Sequence, residues 1–285
     1  MSMHARAAAC LLAGAALGAQ ASEPCGTLHS LATHAGTSAR YALAMPAGAR
    51  PPLTTLVLLA GGSGHVDLDE RSACARALKG NALVRSQPLF VAAGFATVVL
   101  DAPSDQHGED GLAGFRSAPA HAQDLALLIA ALRQRMGGGP VWLVGTSRGT
   151  ISAANAAARL SPEAGPDGLV LSSALMAGQP GARKPWVAQS VFDLPLQAIR
   201  QPLLLIAHEG DSCPRSPPAL MPRLAEQAVA AARVQQVLLR GGPGAAAGSD
   251  ACEGRAPHGF VGQEAELVQA VRQFIVDAGG QRAAP

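Results

Sequence analysis

A serine that acts as a nucleophile needs an exposed hydroxyl, a base to take its proton, and donors for the charge that develops on the group it attacks. Ser147 lies in Gly145-Thr146-Ser147-Arg148-Gly149, directly after the apolar run Val141-Trp142-Leu143-Val144 and ahead of an alanine-rich helical stretch. A strand turning sharply into a helix here puts the serine in a strained backbone conformation, with its hydroxyl above the sheet edge. The flanking glycines let neighbouring backbone close in. The Arg148 amide then points at the same spot from a helix N-terminus, which favours negative charge. A Gly/Ser-rich turn without chemistry has the same composition, but a strand before it and a helix after it favour the nucleophile.

With a serine at such a turn, the acid and then the histidine follow it along the chain. The base candidate is His258, in Pro257-His258-Gly259-Phe260, between the last strand and the last helix; it is also the last histidine. The acid candidate is Asp211, just beyond the second strand after the nucleophile. Glu209 competes, but Gly210-Asp211 sets the carboxylate of Asp211 on a turn past the strand end. His65, His107, His121 and His208 read as pocket-lining, packing or surface residues. Two backbone donors are needed for an oxyanion. Arg148 N–H is one, and the second comes from Ala60-Gly61-Gly62-Ser63-Gly64, with Gly62 favoured and Ser63 the alternative. A phosphate cradle is the competing reading of these glycines, but their spacing fits neither Gly-x-Gly-x-x-Gly nor a P-loop with its lysine.

The elements that must position these residues alternate between β-branched apolar runs and helical patterns, which predicts a mostly parallel sheet with helices on both faces. A hairpin is expected over 27–33 and 39–45. Buried strands are expected over 55–60, 96–101, 141–145, 168–173, 203–208 and 234–240, making eight in all. Leu125, Leu128, Ile129, Leu132 and Met136 recur on one helical face, as do Leu267, Val271, Phe274, Ile275 and Ala278. Residues 174–202 have room for a short flap and no large lid. The loop 103–120, rich in Asp, Gly, His and Ser, is expected above the sheet edge.

Residues 1–21 read as a secretory signal: Arg6, an apolar stretch from Ala7 to Leu17, then Ala19-Gln20-Ala21 as a cleavage site. The remainder, 22–285, reads as one exported domain, periplasmic or secreted, with no apolar run long enough to span a membrane. Export makes disulfides the natural reading of Cys25, Cys74, Cys213 and Cys252, for which three pairings exist. Cys213 lies two residues after Asp211 and Cys252 six before His258, so a bridge between them would tie acid and base loops together, leaving Cys25 with Cys74. No pair has metal-site spacing, and no metal or cofactor is expected. A net charge of +2 and 3% aromatic residues give no footprint for nucleic acid.

Taken together, the Gly145–Gly149 pentapeptide behind its strand, Gly210-Asp211 and Pro257-His258-Gly259-Phe260 resemble the α/β-hydrolase superfamily over nearly all of residues 22–285. The resemblance implies Ser147 as nucleophile, His258 as general base, Asp211 as orienting acid, and Gly62 and Arg148 as oxyanion donors. The chain departs from the common pattern at Ala60, where many relatives carry a histidine, and it lacks the His-Gly-Gly-Gly of one lipase/esterase group. Arg148 and the single Tyr41 argue against the polyester-degrading relatives, which carry a methionine after the serine and aromatic clamps. The implied activity is hydrolysis of small-molecule carboxylic esters through an acyl-enzyme. Amide or peptide cleavage and acyl transfer use the same residues. A non-catalytic binding protein of this fold is disfavoured by the presence of all three triad members.

Overall fold

The computed structural model describes residues 25–282, so the expected signal segment 1–21 lies outside the described residues. Eight strands form one sheet: β1 (Thr27–Ala32), β2 (Ser38–Ala44), β3 (Thr55–Leu59), β4 (Ala96–Leu100), β5 (Val141–Thr146), β6 (Gly168–Ser172), β7 (Leu203–His208) and β8 (Val234–Leu239). Their spatial order is β1-β2-β4-β3-β5-β6-β7-β8. The β1–β2 and β2–β4 pairs are antiparallel and the rest parallel. The hairpin and the six later strands thus form where the alternation of patterns requires them.

Strands β3, β5, β6 and β7 are buried along their whole length. Successive side chains go to opposite faces, and both faces are covered, which explains the unbroken apolar runs. Val57, Leu59 and Leu143 join the cluster under α2 (Pro119–Arg135) and α3 (Gly149–Arg159). Leu56, Leu58 and Val144 face the opposite cluster, with α1 (Ala82–Ala92) and α5 (Glu264–Arg282). The edge strand β8 instead alternates between half-buried and exposed positions over its second half. In α3, Ala153, Ala154, Ala156 and Ala157 are all buried, and their small side chains let this helix press close against the sheet.

Helix α1 carries no clear apolar period, since its buried positions include Ser86 and Gln87 and it contains Pro88. Its start is nevertheless defined: the Asn81 side chain accepts the Leu83 N–H at 3.1 Å, an N-cap that satisfies one otherwise orphaned donor. Residues 174–202 carry three short 3-10 turns, Pro185–Ala188, Val191–Asp193 and Leu196–Ala198, and no lid domain. No helix among the described residues is long and apolar enough to cross a membrane.

Candidate active site

Ser147 occupies the turn between β5 and α3 with φ of 51°, in the left-handed region that side chains other than glycine rarely adopt. The conformation is held from both sides. Ser147 N–H donates to the Ser172 carbonyl at 3.0 Å, and the Ser147 carbonyl accepts from Thr150 N at 3.0 Å. The glycines around it are required by space: a Cβ on Gly149 would lie 2.0 Å from the Leu59 oxygen, and one on Gly145 would lie 2.6 Å from the Gly149 oxygen. A Cβ on Gly61 would meet the Ser147 Cβ at 2.9 Å, so the loop after β3 passes directly beside the serine.

His258 stands in the 3-10 turn Pro257–Gly259, which Phe260 ends at φ of 56° while its ring is wholly buried. His258 Nδ1 lies 2.9 Å from Asp211 Oδ2, and both side chains are all but removed from solvent. A carboxylate at Nδ1 keeps the proton there and leaves Nε2 as the basic nitrogen. Nε2 is buried and makes no hydrogen bond, to Ser147 or to any other described residue. His258 and Ser147 line the same cavity, of about 330 Å³, together with Gly61, Gly62, Leu78 and Asn81. Asp211 Oδ1 accepts from Cys213 N at 2.9 Å, which fixes the carboxylate's orientation. Glu209, the competing acid, instead faces Arg240 at 3.4 Å on an exposed surface.

Gly62, at φ of 56°, is among the cavity's lining residues. The Ser63 carbonyl accepts from Leu112 N at 2.8 Å, a bond that does not involve the Ser63 amide. The structure joins Cys213 to Cys252 and Cys25 to Cys74, with Cα atoms 4.7 and 5.0 Å apart. The first bridge links the loop carrying Asp211 to the one carrying His258.

The four other histidines weighed above lie outside the lining of this cavity. His65 Nδ1 pairs with Asp101 at 3.0 Å and its ring stacks on His107. His208 contacts the Gly241 carbonyl and the Gly210 amide. His121 is fully buried, and burial, with the charges of Arg116 and His34, lowers its pKa to about 3, so it is neutral. His65, Asp101 and His107 bring three donor atoms within 4.8 Å of one another. The Asp101 carboxylate, however, already accepts N–H groups from Val66 and Leu68 in the loop after β3 and from Ala102 just beyond β4.

No protein-family model and no curated protein matches the sequence. Solved structures do match the fold. An α/β serine hydrolase homologue from Coxiella burnetii is 16% identical with a TM-score of 0.53, over 86% of this chain and 95% of that one. XC6422 from Xanthomonas campestris, an α/β serine hydrolase without a lid, is 18% identical with a TM-score of 0.55, over 88% and 94%. Est1E from Butyrivibrio proteoclasticus is 14% identical with a TM-score of 0.57, over 90% of this chain and 100% of that one. The chain has the α/β-hydrolase fold.

Within this hydrolase fold, several side-chain contacts around the cavity carry no sequence signal. Ser173, strained at φ of 42° just beyond β6, donates its hydroxyl to the His258 carbonyl at 2.7 Å and so anchors the histidine loop from the sheet. The Arg148 guanidinium stacks on Trp186 at 3.8 Å, joining the residue after Ser147 to the flap. Burial and the charge of Arg215 lower the Arg148 pKa to about 10. Lys184 of the flap pairs with Asp110, fastening 174–202 onto the loop 103–120. Arg85 bonds Glu264 at 2.7 Å and reaches the Gly80 and Gly259 carbonyls, drawing two walls of the cavity together. Apart from the local Arg85–Gly80 bond, these contacts join segments far apart in the chain, so no local pattern announces them.

Proposed function

We propose that the chain is an exported serine hydrolase that cleaves carboxylic esters of small molecules through an acyl-enzyme. The observation that carries this reading is the strained Ser147 sharing one cavity with the unpaired Nε2 of His258, whose Nδ1 is held by Asp211. His258 Nε2 takes the Ser147 Oγ proton as Oγ attacks the ester carbonyl carbon. The Arg148 and Gly62 amides receive the oxyanion. Collapse breaks the bond to the alcohol, which leaves with the proton from His258. Water, deprotonated by His258, then attacks the acyl-enzyme and releases the acid.

The Ser147–His258 hydrogen bond forms when substrate or a small closure of the loop brings the pair together, as such bonds are often long before substrate binds. A cavity of about 330 Å³ and a flap without a lid favour short acyl groups over long triglycerides. Two disulfides support delivery to an oxidising compartment. The test is hydrolysis of p-nitrophenyl esters from acetate to palmitate, with fluorophosphonate labelling, on wild type and Ser147→Ala. Turnover that declines beyond short chains and vanishes with Ser147 is expected; equal turnover by Ser147→Ala would overturn the proposal.

A further inference from the structure

Arg116 is the largest side chain that the fold buries completely. Among the described residues no carboxylate forms an ion pair with it. Burial and the neighbouring charge of Arg148 lower its pKa to about 9, which leaves it a cation at neutral pH. An unpaired buried cation destabilises a fold unless fixed dipoles replace its hydration. Here the dipoles are backbone carbonyls. Arg116 Nη2 donates to the Ala60 oxygen at 3.0 Å, with the Gly62 and Gly61 oxygens at 3.3 and 3.5 Å, while Nη1 donates to Ser152 Oγ at 3.0 Å. A Cβ on Gly64 would lie 2.5 Å from Nη2, so the loop after β3 is built to admit the guanidinium beneath it. Helix α3 completes the clamp, since Asn155 Nδ2 donates to the Arg116 carbonyl at 3.1 Å.

In a trans peptide the carbonyl of one residue and the N–H of the next point in opposite directions. Carbonyls of Ala60, Gly61 and Gly62 gathered on Arg116 therefore turn the amides of Gly61, Gly62 and Ser63 to the other side of the loop. Gly61 and Gly62 line the cavity there with Ser147, and Arg116 does not. We propose that Arg116 is the positioning residue of the oxyanion loop, holding its carbonyls from behind so that its amides face the oxyanion in front. A carbonyl that accepts from a cation also polarises its peptide and strengthens the N–H at the far end. Arg116 thus acts through the backbone and does not touch substrate. This role rests on the serine-hydrolase reading.

The experiment compares wild type, Arg116→Lys and Arg116→Ala by p-nitrophenyl acetate kinetics, fluorophosphonate labelling and thermal melting, with the alanine variant also assayed in added guanidinium. Lysine keeps the charge but lacks the planar fork whose two arms reach the loop carbonyls and the Ser152 hydroxyl at once. Expected are folded variants whose kcat falls about 10- to 100-fold, with KM changed less than about threefold, and partial recovery of the alanine variant in guanidinium. A folded Arg116→Lys with wild-type kcat and labelling rate would overturn this role alone. Loss of the folded state in both variants, or a fall in kcat that guanidinium leaves unrelieved, would make Arg116 a general fold element and overturn it as well. A wild type that the fluorophosphonate leaves unlabelled at Ser147 would overturn the serine-hydrolase reading, and this role with it.

Discussion

Asp211 Oδ2 and His258 Nδ1 meet at 2.9 Å although 47 residues separate them, and the Asp211 carboxylate has no exposure to solvent. Its other oxygen is held by the Cys213 amide. The pair is therefore fixed in orientation before any substrate arrives. Asp211→Asn keeps the shape but reverses the hydrogen-bond demand, so the imidazole proton moves to Nε2 and the base is lost. The expected result is a fall in kcat of about three to four orders of magnitude with little change in melting temperature. Ester turnover and a melting curve on the same preparation check both halves.

Ser147 bears backbone strain at the turn between β5 and α3. A non-glycine residue at φ of 51° costs about 1–3 kcal/mol, and glycine's extra unfolded-state entropy costs about 0.5–1 kcal/mol. Ser147→Gly should then be inactive yet more stable than wild type, by about 1 kcal/mol. Denaturant unfolding measures this, and an unchanged or lowered midpoint would show that the strain is compensated locally.

Gly149→Ala is expected to do the opposite. The added methyl carbon would sit 2.0 Å from the Leu59 oxygen, a backbone atom that cannot swing aside. The turn must open, at a cost above about 3 kcal/mol, and Ser147 labelling should vanish along with it.

Removing the Cys213–Cys252 bridge by the double alanine variant releases a constraint spanning 39 residues of chain. Stability should fall by about 2–4 kcal/mol, and kcat should fall while the protein remains folded, because the acid and base loops can then move apart. Activity assayed below the new melting temperature separates the two effects.

His34 links the β1–β2 turn to two other segments, with Nδ1 at 2.7 Å from Asp124 and Nε2 at 3.2 Å from Asp105. Burial alone would lower its pKa, but the bonds to Asp124 and Asp105 outweigh that and raise it above 6.5. A folded-state pKa above the unfolded one stabilises fully below about pH 6.5 and loses that contribution as pH rises through the raised value. His34→Gln should flatten this part of the stability–pH curve, measured as melting temperature across neutral and mildly alkaline pH.

The sheet was legible because β3, β5, β6 and β7 are buried on both faces and so are apolar throughout. The candidates Ser147, Asp211 and His258 could be singled out because each sits at a strand end or loop with a local signature, and because His258 is the last histidine in the chain. Helix α1 was not, since burial there falls on Ser86 and Gln87 as much as on Leu83 and Phe90. Arg116, Ser173 and Asn81 were equally silent. The contacts of Arg116 and Ser173 run to the loop after β3 and to the His258 turn and have no periodicity or spacing in the chain, whereas the Asn81 cap is local but precedes a helix without an apolar period.

Of Cys25, Cys74, Cys213 and Cys252, each is bonded to its immediate neighbour in chain order. The two loops they close are consecutive, neither nested nor interleaved. A chain delivered N-terminus first into an oxidising compartment would present Cys25 and Cys74 long before Cys213 emerged. With residues 1–21, and Cys10 among them, removed as proposed, the first thiol pair available is then the native one. An oxidant that simply joins thiols in order of arrival would suffice for maturation, with no need for an isomerase to undo wrong pairs.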